Sequence, residues 1–130
     1  MTDARPAVLD ASAVLAYMLR EHGWQAVQTA LPGGLLSAVN LCEIVGKFCE
    51  RGVPAPEVQA DVLALGVEVM AFTPSQALEA ARLRPGTRQL GLSLGDRACL
   101  ALGLEHTARV LTADAAWAAL NRPHVIEVIR

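Results

Sequence analysis

The stretch AVLDASAVLAYMLR, residues 7–20, introduces a pattern that the rest of the chain repeats. Its first four residues form a short apolar run that ends at Asp10, which is typical of a buried strand entering a turn. The residues from Ser12 to Arg20 have the character of a helix. A strand followed at once by a helix is the building unit of a parallel sheet, so the question is whether the unit recurs.

The unit does recur along the chain. Further strands are predicted at 35–38, 67–72, 108–114 and 125–129. Further helices are predicted at 24–31, 40–51, 54–66, 73–84, 93–104 and 115–120, with a loop at 85–91. This alternation predicts an α/β fold in which one domain spans 1–130 and a small parallel sheet is flanked by helices on both faces. In such sheets, ligands bind beyond the carboxyl ends of the strands.

Bulk composition narrows the class of protein. The 130 residues are 53% hydrophobic, so the composition predicts a folded chain. Their formal net charge is −2, so no global basic charge points to nucleic acid. The apolar excess is compatible with a tight core or with a surface covered by a partner. No apolar run has the length of a membrane span or of a signal peptide, so we expect no membrane association and a cytoplasmic location. Three cysteines without C-x-x-C spacing indicate neither a disulfide framework nor a zinc site.

Four acidic residues fall at equivalent places in the predicted units. Asp10 and Asp114 directly follow predicted strands, and Glu43 and Asp96 lie in the first turns of predicted helices. Strand ends and helix starts of this kind can converge on one edge of a parallel sheet.

Each acid also has a purely structural explanation. Ser93 and Asp96 have the spacing of a capping box, as do Asn40 and Glu43. The other two acids are placed to act as N-caps. For any single acid, capping is the simpler interpretation, and a cap in the first turn is compatible with a second role.

As a set, the four acids favour a metal site. Carboxylates brought to one edge repel each other unless a cation lies among them, and clustered carboxylates suit Mg²⁺ or Mn²⁺. Such ions support hydrolysis of phosphate esters. Short polar residues accompany the acids, either as caps or as groups that orient carboxylates: Ser12, Asn40, Ser93 and Thr112. Fingerprints of dinucleotide, P-loop and nucleophile-elbow sites do not occur.

These segments together resemble the PIN-domain nucleases, and among them the VapC-type toxins of bacterial toxin–antitoxin systems. The resemblance covers essentially the whole chain and is carried by VLDASAVLAYMLRE (8–21), SAVNLCEIVGK (37–47), LSLGDRACLALG (92–103) and VLTADAAW (110–117).

The resemblance implies a catalytic, metal-binding set formed by Asp10, Glu43, Asp96 and Asp114. It places Ser12 and Thr112 at the family's polar, substrate-side positions. It also implies cleavage of RNA that depends on Mg²⁺ or Mn²⁺, a homodimer, and a small antitoxin protein that blocks the site. Some members carry a further acid two residues after the fourth, where this chain has Ala116. Any second ion would therefore lack that ligand.

Basic residues near the helix that carries Asp96 are candidates for contact with RNA. Arg84 and Arg88 lie in the segment RLRPGTR (82–88), which could follow a phosphate backbone or form a solvated helix end. Arg97 could contact the substrate or form a surface ion pair.

The sequence therefore predicts a metal-dependent endoribonuclease that acts as the toxin of a toxin–antitoxin pair. Two alternatives stay open. One is a PIN-domain nuclease of RNA processing that has no antitoxin, and the other is an inactive RNA-binding member, against which the complete acid set argues.

Overall fold

A computed structural model describes residues 5–121 and 123–130 of the chain. All five predicted strands are present, as β1 (Val8–Leu9), β2 (Leu35–Ser37), β3 (Glu68–Met70), β4 (Val110–Thr112) and β5 (Ile126–Val128). Every neighbouring pair is parallel, and the strand order is β3-β2-β1-β4-β5. The predicted small parallel sheet is confirmed.

Six α-helices flank this sheet in the described residues. They are α1 (Ala11–Met18), α2 (Trp24–Gln28), α3 (Ala38–Cys49), α4 (Ala55–Leu63), α5 (Pro74–Thr87) and α6 (Leu94–His106). Two short 3₁₀ turns follow α5 and β4, at Arg88–Leu90 and Ala115–Ala119. Within the described part of the chain, no helix combines the length and the apolar character needed to cross a membrane.

The order of the strands creates a crevice at the centre of the sheet. The chain builds outward from β1 through β2 to β3, and then returns to place β4 on the other side of β1. The connections that leave β1 and β4 at their carboxyl ends therefore run in opposite directions, which opens a crevice where ligands bind in folds of this kind. Asp10 and Thr112 stand at this point.

Both faces of the sheet are covered, as predicted. Alternate residues of a strand point to opposite faces, so Leu9 and Leu111 pack on one side with residues of α1 to α4. Val8 and Val110 pack on the other side with α6 and the buried ring of Trp117. Burial on both faces explains why these strands are continuous apolar runs.

The predicted loop at 85–91 is wrong in its first part. Helix α5 continues through Pro85 as far as Thr87, and a 3₁₀ turn follows it. Near the end of α5, Thr87 Oγ1 donates to the carbonyl of Leu83 at 2.7 Å. The predicted helix at 115–120 is a 3₁₀ turn, and the first helical residue of α3 is Ala38 instead of Asn40.

Candidate active site

Asp10 is a buried carboxylate at the crevice and does not use its side chain as a helix cap. It occupies the N-cap position of α1 but makes no side-chain bond to that helix. Its Oδ2 instead accepts hydrogen bonds from Ser12 Oγ at 2.6 Å and from Thr112 Oγ1 at 3.0 Å. Only 4% of the residue is exposed. The interpretation of the Asp10 side chain as an N-cap is therefore wrong.

Two hydroxyl groups fix this carboxylate from both sides of the crevice. Ser12 and Thr112 each donate their single hydroxyl proton to Asp10. Their two hydroxyl oxygens can therefore only accept further hydrogen bonds. The backbone N–H of Ala113 donates to Ser12 Oγ at 3.0 Å, and that of Asp114 donates to Thr112 Oγ1 at 3.1 Å. The network joins the turn after β1 to the loop after β4, which explains why these polar positions accompany the acids.

Glu43 is held by a buried amide rather than by a capping box. Asn40 is fully buried, and its Nδ2 donates to Glu43 Oε1 at 2.8 Å and to the carbonyl of Gly95 at 3.0 Å. The predicted capping box between Asn40 and Glu43 is wrong, because Ser37 caps α3 by accepting from Val39 N at 3.2 Å. Asn40 thus connects α3 to α6 and orients a carboxylate.

Asp96 is both a cap and a member of the acidic group. Its backbone N–H donates to Ser93 Oγ at 3.2 Å, and its Oδ2 accepts from Ser93 N at 2.9 Å, which confirms the predicted capping box. Within the described residues, no hydrogen bond engages Asp96 Oδ1. One oxygen therefore stabilises the start of α6 while the other stays available for a ligand.

Charge repulsion within the crevice links Asp10 to two of the other acids. Burial raises the pKa of Asp10 from 3.8 to about 6; two hydroxyl hydrogen bonds oppose this rise, and the charges of Asp96 and Glu43 add to it. Burial also raises the pKa of the Cys99 thiol, and the same three carboxylates raise it further. The negative charges of Asp96 and Glu43 therefore oppose ionisation of Asp10.

Asp114 caps the 3₁₀ turn that follows β4. It is exposed, and its Oδ1 accepts from Ala116 N at 3.0 Å, which confirms the predicted N-cap. Its connection to the site runs through its own backbone N–H, which binds Thr112.

The three arginines predicted to contact RNA differ in their environments. Arg97 is half-buried, and its Nη1 donates to the carbonyl of Ala80 at 3.0 Å, so it connects α6 to α5. Arg84 and Arg88 are exposed at the end of α5 and in the following 3₁₀ turn. In the part of the chain that the structure describes, no hydrogen bond or ion pair joins these three arginines to the four acids.

A cavity of about 430 Å³ opens beside the acids and contains basic residues that the sequence analysis missed. Ser12 and Asp114 line it on one side, and Lys47, Arg51 and Arg130 contribute cationic groups. A signal for two of these was present in the sequence: Lys47 and Arg51 follow Glu43 at intervals of four residues, which places all three on one helical face.

The crevice offers carboxylate oxygens as donors for a metal ion, but they are not yet gathered around one point. Among residues 5–121 and 123–130, no three Asp, Glu, His or Cys side chains are already grouped closely enough to hold one metal ion. The donors are nevertheless all carboxylates, and their mutual repulsion favours a cation between them.

Comparison with known proteins identifies the fold family. Residues 7–123 match the model of the PIN domain. The chain belongs to the PIN domain family. No curated relative matches its sequence.

Solved structures resemble this PIN domain over nearly their whole length. A toxin–antitoxin complex from Klebsiella pneumoniae superposes with a TM-score of 0.73 at 18% identity, covering 95% of this chain and 98% of that chain. DNA-bound VapBC from Salmonella typhimurium gives a TM-score of 0.70 at 16% identity, with 97% and 99% covered. FitAcB from Neisseria gonorrhoeae gives 0.70 at 19% identity, with 95% and 97% covered. At these identities the likeness establishes the fold.

Proposed function

We propose that this PIN domain is a metal-dependent endoribonuclease and the toxin of a bacterial toxin–antitoxin pair. The observation that carries the proposal is the position of Asp10. It is buried at the crevice, its side chain is not used as a cap, and it lies in the field of Glu43 and Asp96. A structural cap requires none of these features.

The residues present fit a hard divalent ion, Mg²⁺ or Mn²⁺. Asp10, Glu43 and Asp96 are the proposed ligands, with Asp114 as a fourth from the loop after β4. A cation here offsets the repulsion that opposes ionisation of Asp10. When bound, such an ion activates water and stabilises the negative charge that develops on a phosphate.

The chain's own residues orient the donors. The hydroxyls of Ser12 and Thr112 hold one oxygen of Asp10, which favours its ionised form. Asn40 holds one oxygen of Glu43, and Ser93 N–H holds one oxygen of Asp96. An uncharged hydrogen-bond donor thus fixes the rotamer of each of these three proposed ligands. Residues around metal ligands commonly orient them in this way.

The proposed partners are RNA, an antitoxin protein and a second copy of the chain in a homodimer, in the cytoplasm. The partner proposal is supported by the fold neighbours, since the Klebsiella pneumoniae structure is described as a toxin–antitoxin complex. Co-expression with the product of an adjacent gene for a short DNA-binding protein tests it. We expect co-purification and loss of RNA cleavage.

The test of the activity is cleavage of total RNA with mapping of the cut sites. We expect cleavage in Mn²⁺ or Mg²⁺, none in EDTA, and none for Asp96→Asn. Asp61→Asn is the matched control, because Asp61 is an exposed acid on α4. Undiminished cleavage in EDTA contradicts the mechanism. RNA binding without cleavage favours an inactive member, and cleavage without growth arrest on expression favours RNA processing.

A further inference from the structure

The cavity beside the acids contains two cations that the protein itself leaves unpaired. Lys47 and Arg51 are exposed, and within the described residues neither forms an ion pair. Arg130, the third cation of the cavity, differs because its Nη2 donates to Glu21 Oε1 at 2.9 Å. Lys47 and Arg51 therefore carry charge that remains free for a ligand.

These two cations extend in a line from one of the proposed metal ligands. Glu43 and Lys47 are four residues apart on α3, so they lie on the same helical face, one turn apart. Arg51 lies in the turn just beyond the end of this helix at Cys49. The line therefore runs from the acidic crevice into the cavity.

The cavity and the crevice share a wall. Ser12, whose hydroxyl binds Asp10, lines the cavity, and so does Asp114. A chain-like ligand with one unit at the carboxylates therefore has its next units in the cavity. The remaining lining is partly apolar and includes Leu15 and Phe48.

We propose that this cavity holds the stretch of single-stranded RNA next to the cleaved phosphate, with Lys47 and Arg51 on its backbone phosphates and Phe48 beside a base. The inference rests on the proposed function and deepens it. An acidic crevice in a protein of net charge −2 repels a polyanion, so nearby free cations are needed to bring RNA to it. Guanidinium and aromatic groups together form the surfaces that bind single strands, and the Arg51 guanidinium carbon lies 6.0 Å from the Phe48 ring centroid.

A salt titration of RNA binding tests the proposal. The probe is a single-stranded RNA oligonucleotide that the wild type cleaves, and binding is measured in EDTA so that it stays intact. We expect Lys47→Gln and Arg51→Gln each to weaken binding about fivefold, the value of one exposed ionic contact. Each should lower the slope of log affinity against log salt by about 0.7, which corresponds to one phosphate contact on a single strand.

Arg109→Gln is the matched control, since it removes the same charge from the opposite edge of the sheet. Arg109 directly precedes β4, and its Nη1 binds Glu127 Oε2 at 2.6 Å. We expect its affinity and salt slope to equal those of the wild type. Circular dichroism should show all three variants folded, since Lys47 and Arg51 are exposed and Arg109 is partly exposed.

Three results overturn the proposal. In the first, both cavity variants bind RNA with the affinity and salt slope of the wild type, and the wild type cleaves RNA. The proposed function then stands, and the cavity is assigned to a protein partner instead of RNA. An equal loss in Arg109→Gln means that overall charge and not this cavity holds RNA. If the wild type neither cleaves nor binds RNA, the proposed function fails and this inference fails with it.

Discussion

The carboxylate of Glu43 lies directly against Gly95, with no room for a side chain between them. A Cβ added at residue 95 would come within 2.6 Å of Glu43 Oε2 and closer still to Oε1. Asn40 bonds to both partners, donating to Oε1 of Glu43 and to the carbonyl of Gly95. The glycine before Asp96 is therefore required for the close approach of α3 and α6.

The first prediction follows from this contact. Gly95→Ala should displace the Glu43 carboxylate and lower RNA cleavage by about 10²-fold, the order of loss expected for a misplacement near 1 Å. Stability should change little, because the displaced atoms end a flexible side chain and alanine favours a helix by about 1 kcal/mol over glycine. Cleavage rates and thermal melts measure the two effects.

Gly46→Ala in α3 is the matched control. A Cβ at that position meets no atom within 4 Å, so cleavage should stay at the wild-type level. If Gly95→Ala cleaves RNA as fast as this control, the position of Glu43 is irrelevant to the reaction.

The second prediction concerns the pH dependence of the metal-free protein. The folded pKa of Asp10 is about 6 against an ordinary 3.8, so the folded state binds this proton more tightly than the unfolded state. Protonation of Asp10 therefore stabilises the folded state, fully so below about pH 4. This contribution to the free energy of unfolding, about 3 kcal/mol, is lost as pH rises through 6. In EDTA, Asp10→Asn should therefore gain stability relative to the wild type from pH 4 to pH 7. Denaturant unfolding at several pH values measures this difference, and a constant difference would contradict the assigned shift.

The third prediction concerns the response of the same pair to metal. An ion that binds only the folded state adds about 2.7 kcal/mol at one hundred times its Kd, which is several degrees in Tm for a domain of about this size. Millimolar Mn²⁺ should raise the Tm of the wild type by this amount, and Asp10→Asn should lose most of the rise. Equal rises in both proteins would remove Asp10 from the proposed site.

The fourth prediction separates the two roles of Asp96. Asp96→Asn should abolish cleavage and keep the fold, because an asparagine oxygen can still accept from Ser93 N. Ser93→Ala should do the reverse, costing about 0.5–2 kcal/mol of stability while the carboxylate and its metal response remain. Circular dichroism melts and cleavage assays on both variants decide it. Gross unfolding of Asp96→Asn, or unchanged cleavage, would make the residue structural only.

The fifth prediction concerns Arg97. Its guanidinium donates to the carbonyl of Ala80 between α6 and α5. Arg97→Met should therefore lower stability by about 0.5–1.5 kcal/mol, since one hydrogen bond between the two helices is lost, and should leave the salt slope of RNA binding unchanged. A reduced salt slope without loss of stability would instead support the sequence-based hypothesis of substrate contact.

The sequence predicted the sheet because each strand is a short apolar run bounded by turn or helix signals. Their carboxyl ends could be located from Asp10 and Asp114, and the capping box of Ser93 and Asp96 was recognisable from its spacing alone. Strand order was not predictable from such local signals. β1 and β5 both appear in the sequence as short runs rich in Val, Leu or Ile, although β1 lies buried at the centre of the sheet and β5 lies half-buried at its edge.

The part of the site that the sequence did not reveal depends on long-range contacts. Spacing alone suggests a capping box for Asn40 and Glu43, but the partner that decides the matter is Gly95, which is 55 residues from Asn40. Asp10 likewise resembles an N-cap until Thr112, 102 residues away, donates to it. Lys47 and Arg51 follow Glu43 at intervals of four residues, but the cavity that they line forms only when α3 packs against α1.

The insertion of β4 beside β1 also has a consequence for the order of events during synthesis. Thr112, which fixes Asp10, is made long after β1, β2 and β3 have left the ribosome. Until then β1 lacks its neighbour β4, and the crevice has only one of its two sides. Pairing of strands that lie this far apart in the sequence is slow. A nascent chain should therefore be harmless to the RNA that encodes it until nearly the whole domain has emerged.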